Sequence, residues 1–392
     1  MATTIPRPPD RPPSTTALRI GRIVAVLLLL FIFLMGVKGL GDGFKMLGRD
    51  VVEHFFRATS NPFVGLIIGI LATTLVQSSS VTTSMIVGLV AAPENPLPIA
   101  NAVPMIMGAN IGTTVTNTLV SLGHIGRKQE FQRAFAAATC HDFFNYFGVL
   151  ILLPLELMTG FMRRAAESMT ELLLGFGTSG VEYESPIKES LSVAWKPLKY
   201  LITSATTSTG VQALLIVVVS AALIFSALYL LVRTMRSMLQ SRVEMGLMGA
   251  LGEKALIGMT VGMIATVMVQ SSSITTSLLI PLAGAGIITI RQVFPVTIGA
   301  NVGTTLTALL ASLAATGEHA AAGITIALVH LIFNLCATIV IYPVERIRNL
   351  PLMAAEKLAT IAVRSKLVAI GYILLLFYGL PALIAAIDWM LI

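Results

Sequence analysis

The run Val76-Gln77-Ser78-Ser79-Ser80 recurs 193 positions later as Val269-Gln270-Ser271-Ser272-Ser273, and both copies lie inside long apolar segments. Amides and hydroxyls are costly where packed helices and lipid exclude water, so a duplicated cluster of them points to a site rather than a surface. Such groups can ligate: neutral oxygens and N–H groups hold an anion, a hard cation, or both. A second pair of blocks is similarly equipped, Gly108-Ala-Asn110-Ile-Gly112-Thr113-Thr114 and Gly299-Ala-Asn301-Val-Gly303-Thr304-Thr305. A third pairs His141, Phe144, Asn145, Pro154 and Glu156 with His330, Phe333, Asn334, Pro343 and Glu345. The offsets drift only from 193 to 189 and the order is kept, so one segment was duplicated.

These residues need elements that survive in lipid. With 392 residues, 55% hydrophobic and 11% charged, the chain has far fewer charges than the roughly 25% of a soluble domain. It reads as an integral membrane protein, and nearly all of it must be helical to satisfy its own backbone. The net charge of +7 does not point to nucleic acid, because the basic residues sit in short loops between apolar segments, as topology signals do. Cys140 and Cys336 lie inside apolar segments and read as small buried thiols, with neither a disulfide nor a metal implied.

Pro62–Ala92 is about 31 residues, too long for one span and too short for two of about 20 residues. A re-entrant hairpin broken at Gln77-Ser78-Ser79-Ser80 fits. Each repeat then has three crossings plus a hairpin, and an odd number of crossings turns the second repeat upside down. The expected architecture is an all-α membrane protein: two inverted repeats, each with three transmembrane helices plus a re-entrant helical hairpin, and one extra C-terminal span. The divisions are 1–18 as a disordered cytoplasmic tail, 19–158 as repeat 1 (hairpin 62–92) and 159–205 as an extracytoplasmic loop. Then come 206–345 as repeat 2 (hairpin 255–286) and 346–392 as a cytoplasmic loop and the extra span. With the N-terminus cytoplasmic, most Lys and Arg fall inside, in a multi-pass protein of the cell membrane.

A broken membrane helix frees N–H groups that suit an anion and carbonyls that suit Na⁺. Between Pro62 and Gly123 there is no Lys or Arg, and from Ala255 to Val344 the sole basic residue is Arg291, at a span entrance. An anion held here would need its compensating charge to arrive as cations, and each would favour binding of the other. His141 and Asp142, with His330 as the counterpart of His141, have two open readings: gating or pH sensing, and plain packing with a hydrogen bond to a neighbouring helix.

Over Gly65–Leu157 and Gly258–Glu345 the chain resembles the type II sodium-dependent phosphate cotransporters, a family defined by two inverted Gln-Ser-Ser-Ser repeats. The most specific stretches are Met107-Gly-Ala-Asn-Ile-Gly-Thr-Thr-Val-Thr-Asn117, Phe131-Gln-Arg-Ala-Phe135, His141-Asp-Phe-Phe-Asn145 and Leu153-Pro-Leu-Glu156. The resemblance implies Na⁺-coupled uptake of inorganic phosphate by alternating access, with Na⁺ co-transported rather than resident. It places the phosphate ligands among Gln77, Ser78, Ser79, Ser80, Gln270, Ser271, Ser272, Ser273, Asn110 and Asn301. The Na⁺ ligands it implies are Gln77, Ser80, Thr82, Thr83, Thr113 and their copies Gln270, Ser273, Thr275, Thr276, Thr304. The short, cysteine-free segment between the repeats resembles a compact bacterial-type member. Partners expected are phosphate, Na⁺ and membrane lipid, no nucleic acid, and a weakly held homodimer. Two rivals stay open: a Na⁺-coupled carrier of sulfate or a carboxylate, and an intramembrane serine hydrolase using Ser79 or Ser272 with His141 or His330. The second is disfavoured because hydrolysis needs one activated nucleophile, not a symmetric pair.

Overall fold

A computed structural model describes residues 15–46, 56–175, 186–250, 254–315 and 319–391. Among these every regular element is a helix, and six helices are long and apolar enough to cross a membrane: Ile20–Met46, Lys128–Thr159, Thr209–Met235, Ile290–Ser312, Ala320–Ile341 and Lys366–Ile384. This is an all-α membrane protein. Most of the expected tail 1–18 lies outside the described residues.

The first repeat runs α1 (Thr15–Met46), α2 (Pro62–Val76), α3 (Ser79–Val90), α4 (Ile99–Thr113), α5 (Val115–Ser121) and α6 (Lys128–Thr159). Asn61 starts α2 by accepting from the Phe63 amide at 3.1 Å, with Pro62 in the first position, where no N–H is missed. The helix stops at Gln77, which sits in the left-handed region at φ 58°. Ser78 then caps α3, its hydroxyl accepting from the Val81 amide at 3.3 Å.

Repeat 2 shows the same local grammar. Helix α9 (Thr209–Ala250) is followed by α10 (Ala255–Val269), α11 (Ser272–Ser277), α12 (Leu279–Gly284), α13 (Ile290–Ser312) and α14 (Ala320–Ile341). Gln270 has φ 57°, and Ser271 caps α11 through the Ile274 amide at 3.3 Å. An Asx- or glycine-free left-handed residue is uncommon, and finding it twice at matching positions ties each break to the glutamine rather than to chance.

The two copies of the asparagine block differ in their helices: the first is interrupted at Thr114, so α4 and α5 are separate, while its copy α13 is continuous. Four β-branched residues in a row, Thr113 to Thr116, stiffen the first copy; Leu306 interrupts the run in the second. Helix α9 runs on beyond its apolar part, which ends at Met235, to Ala250. The connections between spans contain amphipathic helices: α7 (Phe161–Gly175) and α8 (Pro186–Ser204) within 159–205, and α15 (Glu345–Arg364) ahead of the last span. The chain ends in α16 (Lys366–Ile373), a π-helical turn at Leu374–Gly379, and α17 (Leu380–Leu391).

Packing between the repeats is reciprocal. The second hairpin limb of repeat 1, α3, lies against α13 and α14; that of repeat 2, α11–α12, lies against α5 and α6. Likewise α7 packs on α14, and α15 packs on α6. Helices α1 and α9 pair directly: a Cβ at Gly36 would fall 3.0 Å from the Ile224 amide, and one at Gly43 3.1 Å from the Val217 amide. Small residues at this spacing let membrane helices approach backbone to backbone. Indole Trp195 of α8 closes the pair, donating to Asp42 at 3.0 Å.

Candidate functional site

The hairpins are set by glycine. Within repeat 1, Gly69 faces the Met105 carbonyl and Gly108 the Leu66 carbonyl; within repeat 2, Gly262 faces the Val296 carbonyl and Gly299 the Met259 carbonyl. A Cβ at Gly112 would lie 2.7 Å from the Thr73 Cβ, and one at Gly303 would lie 2.8 Å from that of Thr266. No side chain larger than hydrogen fits there. The asparagine blocks are thereby pressed against the first limb of each hairpin, just below its tip.

At each tip the glutamine is held the same way. Thr116 donates to Gln77 Oε1 at 3.0 Å, and Thr307 donates to Gln270 Oε1 at 3.2 Å. The amide nitrogens donate to carbonyls of the preceding turn, Thr74 and Val267. Thr116 and Thr307 were not among the expected ligands, although both extend the second block at its own offset of 191. Ser80 Oγ lies 3.5 Å from Thr307 Oγ1, so Thr307 joins the tip of hairpin 1 to the glutamine of hairpin 2. The two distant motifs thus meet around one hydroxyl.

The serines have committed roles. Ser78 and Ser271 spend a lone pair on capping, while Ser79, Ser80 and Ser272 are buried in the first turns of α3 and α11, with Ser273 half-buried beside them. The cap occupies the Val81 amide and the Ser78 carbonyl takes the Thr82 amide, which leaves the amides of Ser79 and Ser80 without an intrahelical acceptor. The hydroxyls of Thr82, Thr83, Thr275, Thr276, Thr113 and Thr304 are close to the carbonyl four residues back, at 2.8–3.3 Å. A hydroxyl that donates backwards keeps its lone pairs, so these oxygens can still accept or meet a cation.

Between the tips runs a buried chain of amides and imidazole. Ser277 donates to Asn117 Oδ1 at 3.0 Å, and Asn117 Nδ2 donates to Thr276 Oγ1 at 2.8 Å and lies 3.5 Å from His141 Nδ1. His141 Nε2 bonds Asn301 Oδ1 at 2.6 Å; Asn301 donates to Asn145 Oδ1 at 2.8 Å; Asn145 donates to the Asn110 carbonyl at 3.1 Å. Asn110 itself donates to Ile106 O at 3.2 Å, within its own helix. Asp142 accepts from Thr118 at 3.1 Å and from Tyr372 at 2.8 Å, a contact with the extra span. His330 is fully buried and neither ring nitrogen has a partner, nor has Asn334 Oδ1. Asn117 was missed as a site residue because its copy is Ala308, so the repeat comparison carries no signal for it.

Neither histidine bonds a motif serine. His141 is engaged by Asn117 and Asn301 and His330 by no side chain, so the serine–histidine pairs that the hydrolase reading needs are not formed. No cluster of three or more His, Cys, Asp or Glu able to hold a metal occurs among the described residues. Ion pairs such as Lys45–Glu94 and Arg127–Glu130 join helix ends.

The fold and this site define an all-helical membrane protein with a neutral polar centre built from two copies of one motif. A family model described as Na+/Pi-cotransporter matches residues 32–180 and 222–390, and the chain belongs to that family of transporters, not to a family of enzymes. It is similar to Sodium-dependent phosphate transport protein 2A of Ovis aries, 33% identical over 94% of this chain and 68% of the relative. It is also similar to Sodium-dependent phosphate transport protein 2B of Bos taurus (31% identical) and Homo sapiens (30%), each over 92% of this chain and 64% of the relative. The chain therefore spans about two thirds of the length of these relatives. No solved structure matches it.

Proposed function

We infer that this chain couples entry of Na⁺ to uptake of inorganic phosphate by alternating access, binding both between the two hairpin tips in mid-membrane. The family and the names of its relatives support the substrate and the coupling ion. The observation that carries the location is the meeting of both Gln-Ser-Ser-Ser motifs at Thr307, through Ser80 and Gln270. In this reading the open amides at the start of α3 and α11, with Asn110 and Asn301, face phosphate oxygens. Back-bonded hydroxyls of Thr82, Thr83, Thr275 and Thr276, with Thr113 and Thr304, offer lone pairs to Na⁺, which suits neutral oxygen ligands. The centre has no arginine fork, so Na⁺ supplies the positive charge and the two ligands bind cooperatively. The N-terminus is cytoplasmic and the repeats are inverted.

The test is uptake of radiolabelled phosphate by proteoliposomes under an inward Na⁺ gradient. Ser79→Ala and Ser272→Ala should each lose most of the flux while still inserting; full flux in both removes the serines from the site. Stronger competition by sulfate or a carboxylate than by unlabelled phosphate would transfer the reading to another anion.

A further inference from the structure

The two halves carry the same polar residues, yet only one half of the central network is made. His141 bonds Asn301, Asn301 bonds Asn145, and Asn145 bonds the Asn110 carbonyl. The repeat offsets convert this chain into its mirror: His330 to Asn110, Asn110 to Asn334, Asn334 to the Asn301 carbonyl. None of the three mirror bonds is formed. Asn110 and Asn334 turn to carbonyls of their own helices, Ile106 and His330, at 3.2 and 3.0 Å. Both ring nitrogens of His330 and the Asn334 side-chain oxygen are buried without a partner.

Around this asymmetric network part of the packing keeps the symmetry. The tip bonds Thr116–Gln77 and Thr307–Gln270 are both made, and the peripheral packing of α7 on α14 matches that of α15 on α6. Access differs in step with the network: Gln77 is exposed and Thr116 half-buried, whereas Gln270 is half-buried and Thr307 buried. Nor does the bond between Ser80 and Thr307 have its mirror between Ser273 and Thr116. Buried polar groups with no partner are costly, and a sequence that keeps three of them in register with a satisfied copy implies a state in which they are used.

We propose that His330, Asn334 and Asn110 are the positioning residues of the opposite-facing state: there they form the mirror chain, while His141, Asn301 and Asn145 release theirs. The exchange deepens the alternating-access reading and rests on it. Asn110 and Asn301 trade roles, each being held by a histidine in one state and by its own helix in the other. The bistable element is the amide–imidazole chain, and whichever ligands bind one state better shift it.

The test uses the full chain in liposomes, labelled with ¹⁵N-histidine and studied by solid-state NMR, with His141 and His330 assigned from single His→Gln variants. As Na⁺ and phosphate are added or withheld, the ring signals of both residues should divide into hydrogen-bonded and free populations that vary inversely. The bonded His330 population should vanish in Asn110→Ala. His330→Ala should raise the odds of bonded His141 about five-fold, the worth of one hydrogen bond. A purely structural His330 would leave those odds unmoved. The proposal is overturned if His330 stays unbonded in every condition, or if its bonded signal survives Asn110→Ala. Absence of Na⁺-driven phosphate flux in the unmodified chain would instead sink the transport reading, and the NMR populations would still report the exchange.

Discussion

Asn301→Leu is the substitution that weighs the central chain most directly. Leucine matches the shape of asparagine closely, so the change removes polarity with little cavity. Two bonds are lost, from His141 at 2.6 Å and to Asn145 at 2.8 Å, and His141 Nε2 and Asn145 Oδ1 are left buried against an apolar group. Each stranded group costs about 1–3 kcal/mol, which gives about 2–6 kcal/mol in total. The copy provides an internal control. Asn110→Leu loses a single 3.2 Å bond to the Ile106 carbonyl of its own helix, so about 1 kcal/mol is expected. The assay is reversible unfolding in mixed micelles followed by circular dichroism, with Na⁺ and phosphate omitted so that ligand binding does not contribute. A double-mutant cycle of Asn301→Leu with Asn145→Leu should show coupling of about 0.5–3 kcal/mol. Equal destabilisation by the two leucine variants, or additivity in the cycle, would refute the chain as drawn.

Gln77→Gly should leave stability within about 1 kcal/mol of the parent, because relief of a left-handed side chain offsets the bonds lost with Thr116 and the Thr74 carbonyl, yet Na⁺-driven phosphate uptake should collapse; uptake near the parent level counts against a tip role. Gly299→Ala presses a methyl into the Met259 carbonyl and should cost about 1–3 kcal/mol or more by thermal unfolding, whereas Gly123→Ala meets nothing within 4 Å and should be neutral. Trp195→Ala should cost about 3–5 kcal/mol, since it empties a fully buried indole and leaves Asp42 to Lys199 alone; a small loss would mean that α8 does not brace the α1–α9 pair.

Much of this was legible in the sequence, for a physical reason. A break in a membrane helix needs polar groups to absorb the freed backbone, and a duplicated break writes them twice; hence Gln77, Ser78 and their copies stand out. Asn110 and Asn301 were visible by the same doubling. What the repeat could not reveal was anything present once. Asn117 reaches hairpin 2, but its copy is Ala308; Thr118 reaches Asp142, but their copies are Leu309 and Leu331. Partners also stayed hidden: that His141 takes Asn301 and not a serine depends on how α6 crosses α13, which no local pattern encodes.

The singly present residues gather on one side of the pseudo-symmetry, and that distribution has a consequence. Hairpin 1 is tied to the unpaired last span: Tyr378 donates to the Thr74 carbonyl at 3.3 Å, and Thr74 donates to the Phe377 carbonyl at 3.4 Å, a group that lacks its usual helical donor because Pro381, four residues on, has no N–H. Hairpin 2 is tied instead to repeat 1, through Asn117 and the pair Thr276–Ser277. Both hairpins therefore pack on the opposite repeat, and the first leans also on an element outside the duplication. Two identical halves would leave both facings of an exchange equal in energy. In the proposed exchange these unequal tethers would remove that degeneracy before any ligand binds.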